Sequence, residues 1–455
     1  MRLKFRELKR GCVVGASFGR SRRKAKRYFL AYPRGIWESF PQRMKPFMMD
    51  NAAHLFTINA PLVSGIRRVS YNTARPLFKP LFDRMVLKGI PHSVDDYAES
   101  TDEVIRQFLS TEYVFDSPVE KMPPAKSVKR PRSRAVVAFS SGKDSLLSLA
   151  LARELGLDPV AVYVNDTVSP SENSFKLARI RSLGRETDVP FVVVRNELER
   201  LNDFETWSMP ETCVGYTHMM TGFCFVSLPV AHARGAGFIV LGNQRNMEFG
   251  YVNKDGYATY PSYDQTQAWM RTQREMVELM SAGSASVTSL IAPLTNIAIM
   301  RILHNRYPEF AKHQVSCDSL NASDEPRWCH ECSKCARLSI MMLSTGASPK
   351  SVGMRKSMLG KGSERFYAVF GGSGVDCYEQ SRQSVDEQKF AFYLAYRNGA
   401  RGYLIDRFRR RFLDEVRSRE DELHRMFFSF NDMSIVPSFL RRGLASVCGE
   451  ELSGL

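Results

Sequence analysis

Six consecutive residues, Ser140-Ser141-Gly142-Lys143-Asp144-Ser145, carry the chemistry of a phosphate-binding turn. They follow a short apolar, β-branched run at 135–139 and lead into 146–152, a stretch rich in helix formers. A helix N-terminus leaves its first N–H groups unpaired and carries partial positive charge, so it accepts phosphate oxygens. Gly142 lets the backbone approach a ligand. Ser140 and Ser145 add hydroxyl donors, Lys143 a mobile cation, and Asp144 a carboxylate that can cap the helix or hold Mg2+. The spacing is not that of a Walker A loop, which needs four residues between its first glycine and Gly-Lys-Ser/Thr.

A second chemical cluster lies downstream, in Cys329-His330-Glu331-Cys332-Ser333-Lys334-Cys335, with Cys317 before it. Three thiolates at this spacing can converge on one ion while Cys317 closes a tetrahedral shell, the arrangement of a structural Zn2+ site. An iron–sulfur cluster also takes four cysteines, and His313 or His330 could replace one thiolate. The other cysteines, Cys12, Cys213, Cys224, Cys377 and Cys448, read as buried or incidental thiols.

The elements that must hold the turn alternate regularly. Strands are predicted at 135–139, 160–164, 191–194 and 238–241, and helices at 144–154, 171–186 and 216–233. Continuous apolar strands alternating with helices imply α/β architecture, a parallel twisted sheet covered on both faces. Ligands on such sheets sit beyond the carboxyl ends of the strands, at the topological switch point. Two loops fall there: one containing Asp166 and one running Gly242-Asn243-Gln244-Arg245-Asn246. The stretch from Arg245 to Asp264, with Tyr263, could line an acceptor pocket. His218 and His232 read as core or boundary residues of an apolar helix.

Ser-x-Gly-x-Asp-Ser after a first strand resembles the signature of the PP-loop ATP pyrophosphatases, the adenine nucleotide alpha hydrolase-like group. Most members read Ser-Gly-Gly-x-Asp-Ser, so Ser141 stands where they carry glycine, a mild change if the backbone there has negative φ. The resemblance implies a Rossmann-like, HUP-type domain that binds ATP with Mg2+ and cleaves it to AMP and pyrophosphate. By the same resemblance Ser140 to Ser145, Asp166, Gly242 and Asn243 contact the nucleotide, and Lys143, Asp144 and Ser145 serve the reaction. A four-cysteine site downstream, closed by Cys-x2-Cys-x2-Cys and followed by Arg337, is similar to the cyano-deazaguanine synthases of queuosine biosynthesis, which adenylate a carboxylate. That likeness covers about 135–343. The Trp328-Cys329-x2-Cys332-x-Lys334-Cys335 pattern and the Gly242-Asn243-x-Arg245 loop also resemble the UDP-N-acetylmuramoyl-L-alanyl-L-glutamate epimerases, which carry flanking extensions; Gln244 replaces their glutamate.

The rest of the chain frames these sites. At 455 residues, 44% of them hydrophobic, it holds two or three domains with a real core. Residues 1–118 form a basic, then aromatic accessory segment of α+β character, and 119–134, rich in proline and cations, reads as a linker. The nucleotide domain spans 135–343, and 344–455 is mainly helical, with two helices across 390–425. Within the first segment an acid-led helix is expected at 93–108. Gly371 to Gly374 reads as a loop. A net charge of +16 favours polyanionic partners, with RNA docking on the basic N-terminal segment. No apolar run reaches the roughly 18–20 residues of a membrane span, so a cytoplasmic protein is expected. The sequence leaves the oligomeric state open, a dimer among the options. Four activities remain in play: adenylation of a carboxylate or carbonyl oxygen of a small-molecule acceptor, epimerisation of a UDP-muramoyl-dipeptide-like substrate through an acyl-adenylate, modification of tRNA, and nucleotide or RNA binding without turnover.

Overall fold

A computed structural model describes residues 1–18, 26–119, 122, 129–166, 168, 170–315, 328–430 and 432–453. Ten strands form one mixed sheet. In chain order they are β1 (Arg2–Leu8), β2 (Gly11–Ser17), β3 (Lys26–Ala31), β4 (Arg68–Ala74), β5 (Glu112–Ser117), β6 (Arg134–Ala138), β7 (Asp158–Asn165), β8 (Phe191–Asn196), β9 (Phe238–Val240) and, after the two-stranded ribbon β10 (Tyr251–Val252) and β11 (Ala258–Thr259), β12 (Ser286–Thr288). The spatial order is β12-β9-β6-β7-β8-β3-β2-β1-β4-β5. The β12–β9–β6–β7–β8 half is parallel throughout.

The parallel half arises as its composition dictates. Val136, Val137, Val162, Val194 and Ile239 are buried, because helices cover both faces and leave no strand side for water. One core contains the helices Lys143–Glu154, Asn296–Arg306 and Ser333–Ser344. The other contains the helix Met219–Arg234 and the aromatic residues of 28–115. From β6 the chain moves outward through β7 and β8, then returns to place β9 on the far side of β6. The strand order reverses there, which opens a crevice at the carboxyl ends of β6, β7 and β9.

Several boundaries differ from the sequence expectations, each for a local reason. The acid-led helix is Thr101–Ser110, since Ser100 caps it by accepting from the Glu103 N–H, while Ser93 ends a separate helix, Lys79–Ser93. Three helices replace the two expected near the C-terminus: Arg382–Arg397, Tyr403–Ser418 and Glu420–Phe428. The first break holds Gly399 and Gly402, both at positive φ. β12 is only three residues long and gave no periodicity to read.

The sheet runs on past the parallel half. β3 pairs antiparallel with β8, matching Leu30 to Asn196 and Ala31 to Arg195, and Glu197 accepts from the Phe29 N–H at the seam. Strands on both sides of 119–134 therefore share one hydrogen-bonded ladder.

The C-terminal helices dock through a buried carboxylate. Glu387 accepts from the Ile297 N–H (2.9 Å), at the start of helix Asn296–Arg306, and from Asn246 Nδ2 (2.5 Å). Burial pushes the Glu387 carboxyl above its usual range, and these donors oppose the shift. Glu387→Ala leaves several donors without acceptors and is expected to cost about 3 kcal/mol, read as a lower denaturant midpoint.

Candidate functional site

The helix Lys143–Glu154 begins where β6 ends, with Gly142 as its N-cap in extended conformation. No side chain caps it, so its first-turn N–H groups stay open at the mouth of the crevice. The hydroxyls are spent locally on shaping the turn. Ser145 Oγ donates to Gly142 O (3.1 Å) and accepts from the Ser140 N–H (3.2 Å), and Ser140 Oγ accepts from the Gly142 N–H (3.4 Å).

Ser141 is a correction. Its φ is +64°, the left-handed region in which glycine is comfortable and a residue with Cβ is strained. It is 1% exposed, and its carbonyl accepts from the Val315 N–H (2.8 Å), which holds the turn in that shape. The substitution at this position is therefore strained, not mild.

A cleft of about 740 Å³ opens in front of the turn, and Ser140, Asp144, Ser145, Asp166 and Gly242 line it. These sequence-predicted residues converge from the β6, β7 and β9 ends. Asp166 Oδ1 accepts from the Val168 N–H (3.1 Å) and from Asn173 Nδ2 (3.2 Å), which fixes the loop after β7. Gly242 is needed for close approach, because a Cβ there would lie 3.2 Å from Asp144 Cβ.

Other candidates sit elsewhere. Lys143 is buried behind the turn; its Nζ donates to Asp144 Oδ1 (2.5 Å) and Gln244 Oε1 (3.1 Å). Burial lowers its pKa, and Asp144 opposes that shift. Asn243 Nδ2 donates to Gln265 O (3.0 Å), leaving its buried Oδ1 without a partner. Arg245 turns away from the cleft to clamp the C-terminal region, donating to Met426 O (3.1 Å) and Ser429 Oγ (2.9 Å). Tyr263 is buried against Trp269 and does not line the cleft.

The cleft contains groups that no motif announced. Glu199, Asp203, Glu205 and Glu211 make its far wall acidic. Glu199 is held by His218 Nε2 (3.2 Å), whose Nδ1 faces Asn59 Nδ2 (3.0 Å), so His218 is the core residue expected of it. Ser227 lines the cleft with a buried Oγ that has no partner, a position open to a ligand acceptor or donor. Ser227 lies in an apolar helix, so only the fold reveals its orientation.

Cys329, Cys332 and Cys335 bring their Sγ atoms within 4.8 Å of one another. Cys329 Sγ lies 3.4 Å from Cys332 Sγ and 3.7 Å from Cys335 Sγ. A tetrahedral zinc with bonds of about 2.3 Å spaces its sulfurs by about 3.8 Å, so the trio fits one metal ion. Cys317 falls outside the described residues. His330 Nε2 accepts from the Arg355 N–H (3.1 Å), and His313 Nε2 faces Glu186 (3.2 Å). The cysteine trio opens the helix Ser333–Ser344, which carries Arg337 inward to Glu379 (3.3 Å). Burial pushes the Glu379 carboxyl up to about 8, against the pull of Arg337.

No family model matches the chain. It is similar to the UDP-N-acetyl-alpha-D-muramoyl-L-alanyl-L-glutamate epimerase of Xanthomonas oryzae pv. oryzae, 24% identical over 220 residues. That match covers 45% of this chain and 43% of the relative, so the chain spans less than half the length of the curated protein it matches.

Two outcomes follow from this geometry. Ser141→Gly removes left-handed strain and is expected to stabilise the protein by about 1 kcal/mol in equilibrium unfolding. Elemental analysis should find one zinc per chain, and Cys332→Ser should lose it together with thermal stability.

Proposed function

We propose that the cleft binds ATP with Mg2+ and that the protein transfers the adenylyl group to a carboxylate or carbonyl oxygen of a small-molecule acceptor. The observation that carries this reading is the uncapped helix N-terminus at the carboxyl end of β6, facing a nucleotide-sized cleft at the strand-order reversal. Those N–H groups are aimed where the pyrophosphate tail would lie, and the likeness of 140–145 to PP-loop enzymes supports cleavage beside the sugar. Residues 135–343 form the nucleotide-handling domain in this reading, with 1–118 and 344–455 as accessories.

The chemistry is positioning and charge. An acceptor oxygen bonds to the α-phosphorus, the bond from that phosphorus to the bridging oxygen breaks, and pyrophosphate leaves with the electron pair. Mg2+ supplies charge neutralisation on the phosphates when bound, and Asp144, half-buried at the turn, would hold it. Lys143 acts from behind, keeping Asp144 oriented and offsetting charge on the tail. Asp166 and the partnerless Ser227 would meet the nucleoside end. The cysteine trio would hold a structural Zn2+ that anchors the helix carrying Arg337.

The similarity to the Xanthomonas epimerase favours one version of the acceptor, the glutamate carboxylate of a muramoyl-dipeptide. Adenylation there would acidify the α-carbon and permit proton loss. The acidic far wall suits an acceptor that also bears a cationic group, which the amide-linked dipeptide lacks.

Incubation with ATP, Mg2+ and a panel of carboxylates, muramoyl-dipeptides and tRNA should release pyrophosphate and AMP only with the true acceptor. Asp144→Ala should reduce this by a factor on the order of 100 or more. ADP and inorganic phosphate as the products would sink the assignment.

A further inference from the structure

Among the described residues, strands β1, β2 and β3 face a hydrophobic core on one side only; on the other side Val13 of β2 is buried but belongs to neither core. Leu3 and Phe5 of β1, Val14 and Ala16 of β2 and Tyr28 and Leu30 of β3 point into a core. The alternate residues occupy the other face, where Arg2, Lys4, Arg6 and Arg27 are exposed. None of these four cations has an ion-pair or hydrogen-bond partner for its side chain among the described residues. By contrast Arg68 pairs with Glu112, and Arg195 with Glu197.

Register converts these residues into a patterned surface. One row across the sheet reads Lys4–Gly15–Arg27, and the next reads Arg6–Val13–Phe29. Gly15 leaves the floor between two cations without a side chain. Phe29 is half-buried, belongs to neither hydrophobic core, and stacks on no other ring among the described residues. An aromatic ring on an open sheet face, flanked by unpaired cations, can stack a base while the cations take phosphates.

We infer that this face of β1–β3 is a docking surface for single-stranded RNA. Spacing supports it: alternate residues of β1 are about 6.8 Å apart, which suits cations meeting successive phosphates of an extended strand. An anionic membrane is the poorer occupant, because the large exposed apolar side chains, such as Leu77, Leu109, Val252 and Phe439, all lie off this face. Duplex nucleic acid could use the cations but not the ring, since its bases are already stacked. The inference does not rest on adenylation; RNA binding here needs no ATP.

The test uses the full chain and a short labelled oligouridine, with fluorescence anisotropy across a salt series. Binding should weaken steeply with salt. The triple variant K4Q/R6Q/R27Q should lower the log–log salt slope by about 2, from about 0.7 per lost phosphate contact. F29A should weaken binding about tenfold while leaving the slope unchanged. Circular dichroism and any ATP turnover should match wild type for both variants, whose positions lie far from the turn. Unchanged affinity and slope in the triple variant would overturn the inference. So would stronger binding to a duplex of equal length, or binding only to phosphatidylserine vesicles.

Discussion

The support behind the cleft depends on a chain of buried charges and amides that pair with one another. Lys143 cannot sit behind the turn unless Asp144 compensates its charge and Gln244 accepts a further hydrogen bond from its ammonium. Gln244 belongs to the loop that also contains Asn246, which with the start of helix Asn296–Arg306 surrounds Glu387. One chain of polar contacts thus runs from the turn after β6, through the loop after β9, to a C-terminal helix. Breaking it anywhere leaves an uncompensated group inside the protein, so three distant segments hold one geometry.

That arrangement explains why the C-terminal region matters to the crevice without lining it. Glu387 and Arg245 tie the loop after β9 to two different C-terminal segments: Glu387 of helix Arg382–Arg397 reaches back to Asn246, and Arg245 reaches forward to Met426 and Ser429. The loop after β9 is pinned from both sides while Gly242 lets it press against Asp144. The thiol cluster acts in a parallel way on helix Ser333–Ser344, since Cys332 accepts from the Cys335 N–H at the helix start and Arg337 follows on the same element. Functional groups are set by what supports them from behind.

The sheet joins two surfaces of opposite character. Its parallel half is buried on both faces and ends in an acidic-walled cleft; the antiparallel strands β1–β3 beyond it carry exposed cations on the face turned away from their core. Antiparallel strands tolerate a solvated face, whereas parallel strands under crossover helices do not. The ladder between β3 and β8 places the two within one continuous body.

Local sequence determined the turn, its flanking strand and helix, the thiol spacing and the alternation that produces an α/β sheet. These signals are short-range: a helix N-terminus, a Cys-x2-Cys-x2-Cys run and β-branched stretches each need only their neighbours to be legible. The tertiary structure alone decided the rest. The sign of φ at Ser141 follows from a hydrogen bond to Val315, far along the chain. Arg245 belongs to the C-terminal dock because its carbonyl partners come from residues 426 and 429. Ser227 and Glu199 face the cleft because of how helix Met219–Arg234 and the segment after β8 pack. The three-residue β12 exists only by pairing with β9. Where a residue's role is set by partners distant in sequence, no local pattern can encode it, because the pairing energy appears only once the chain has closed on itself.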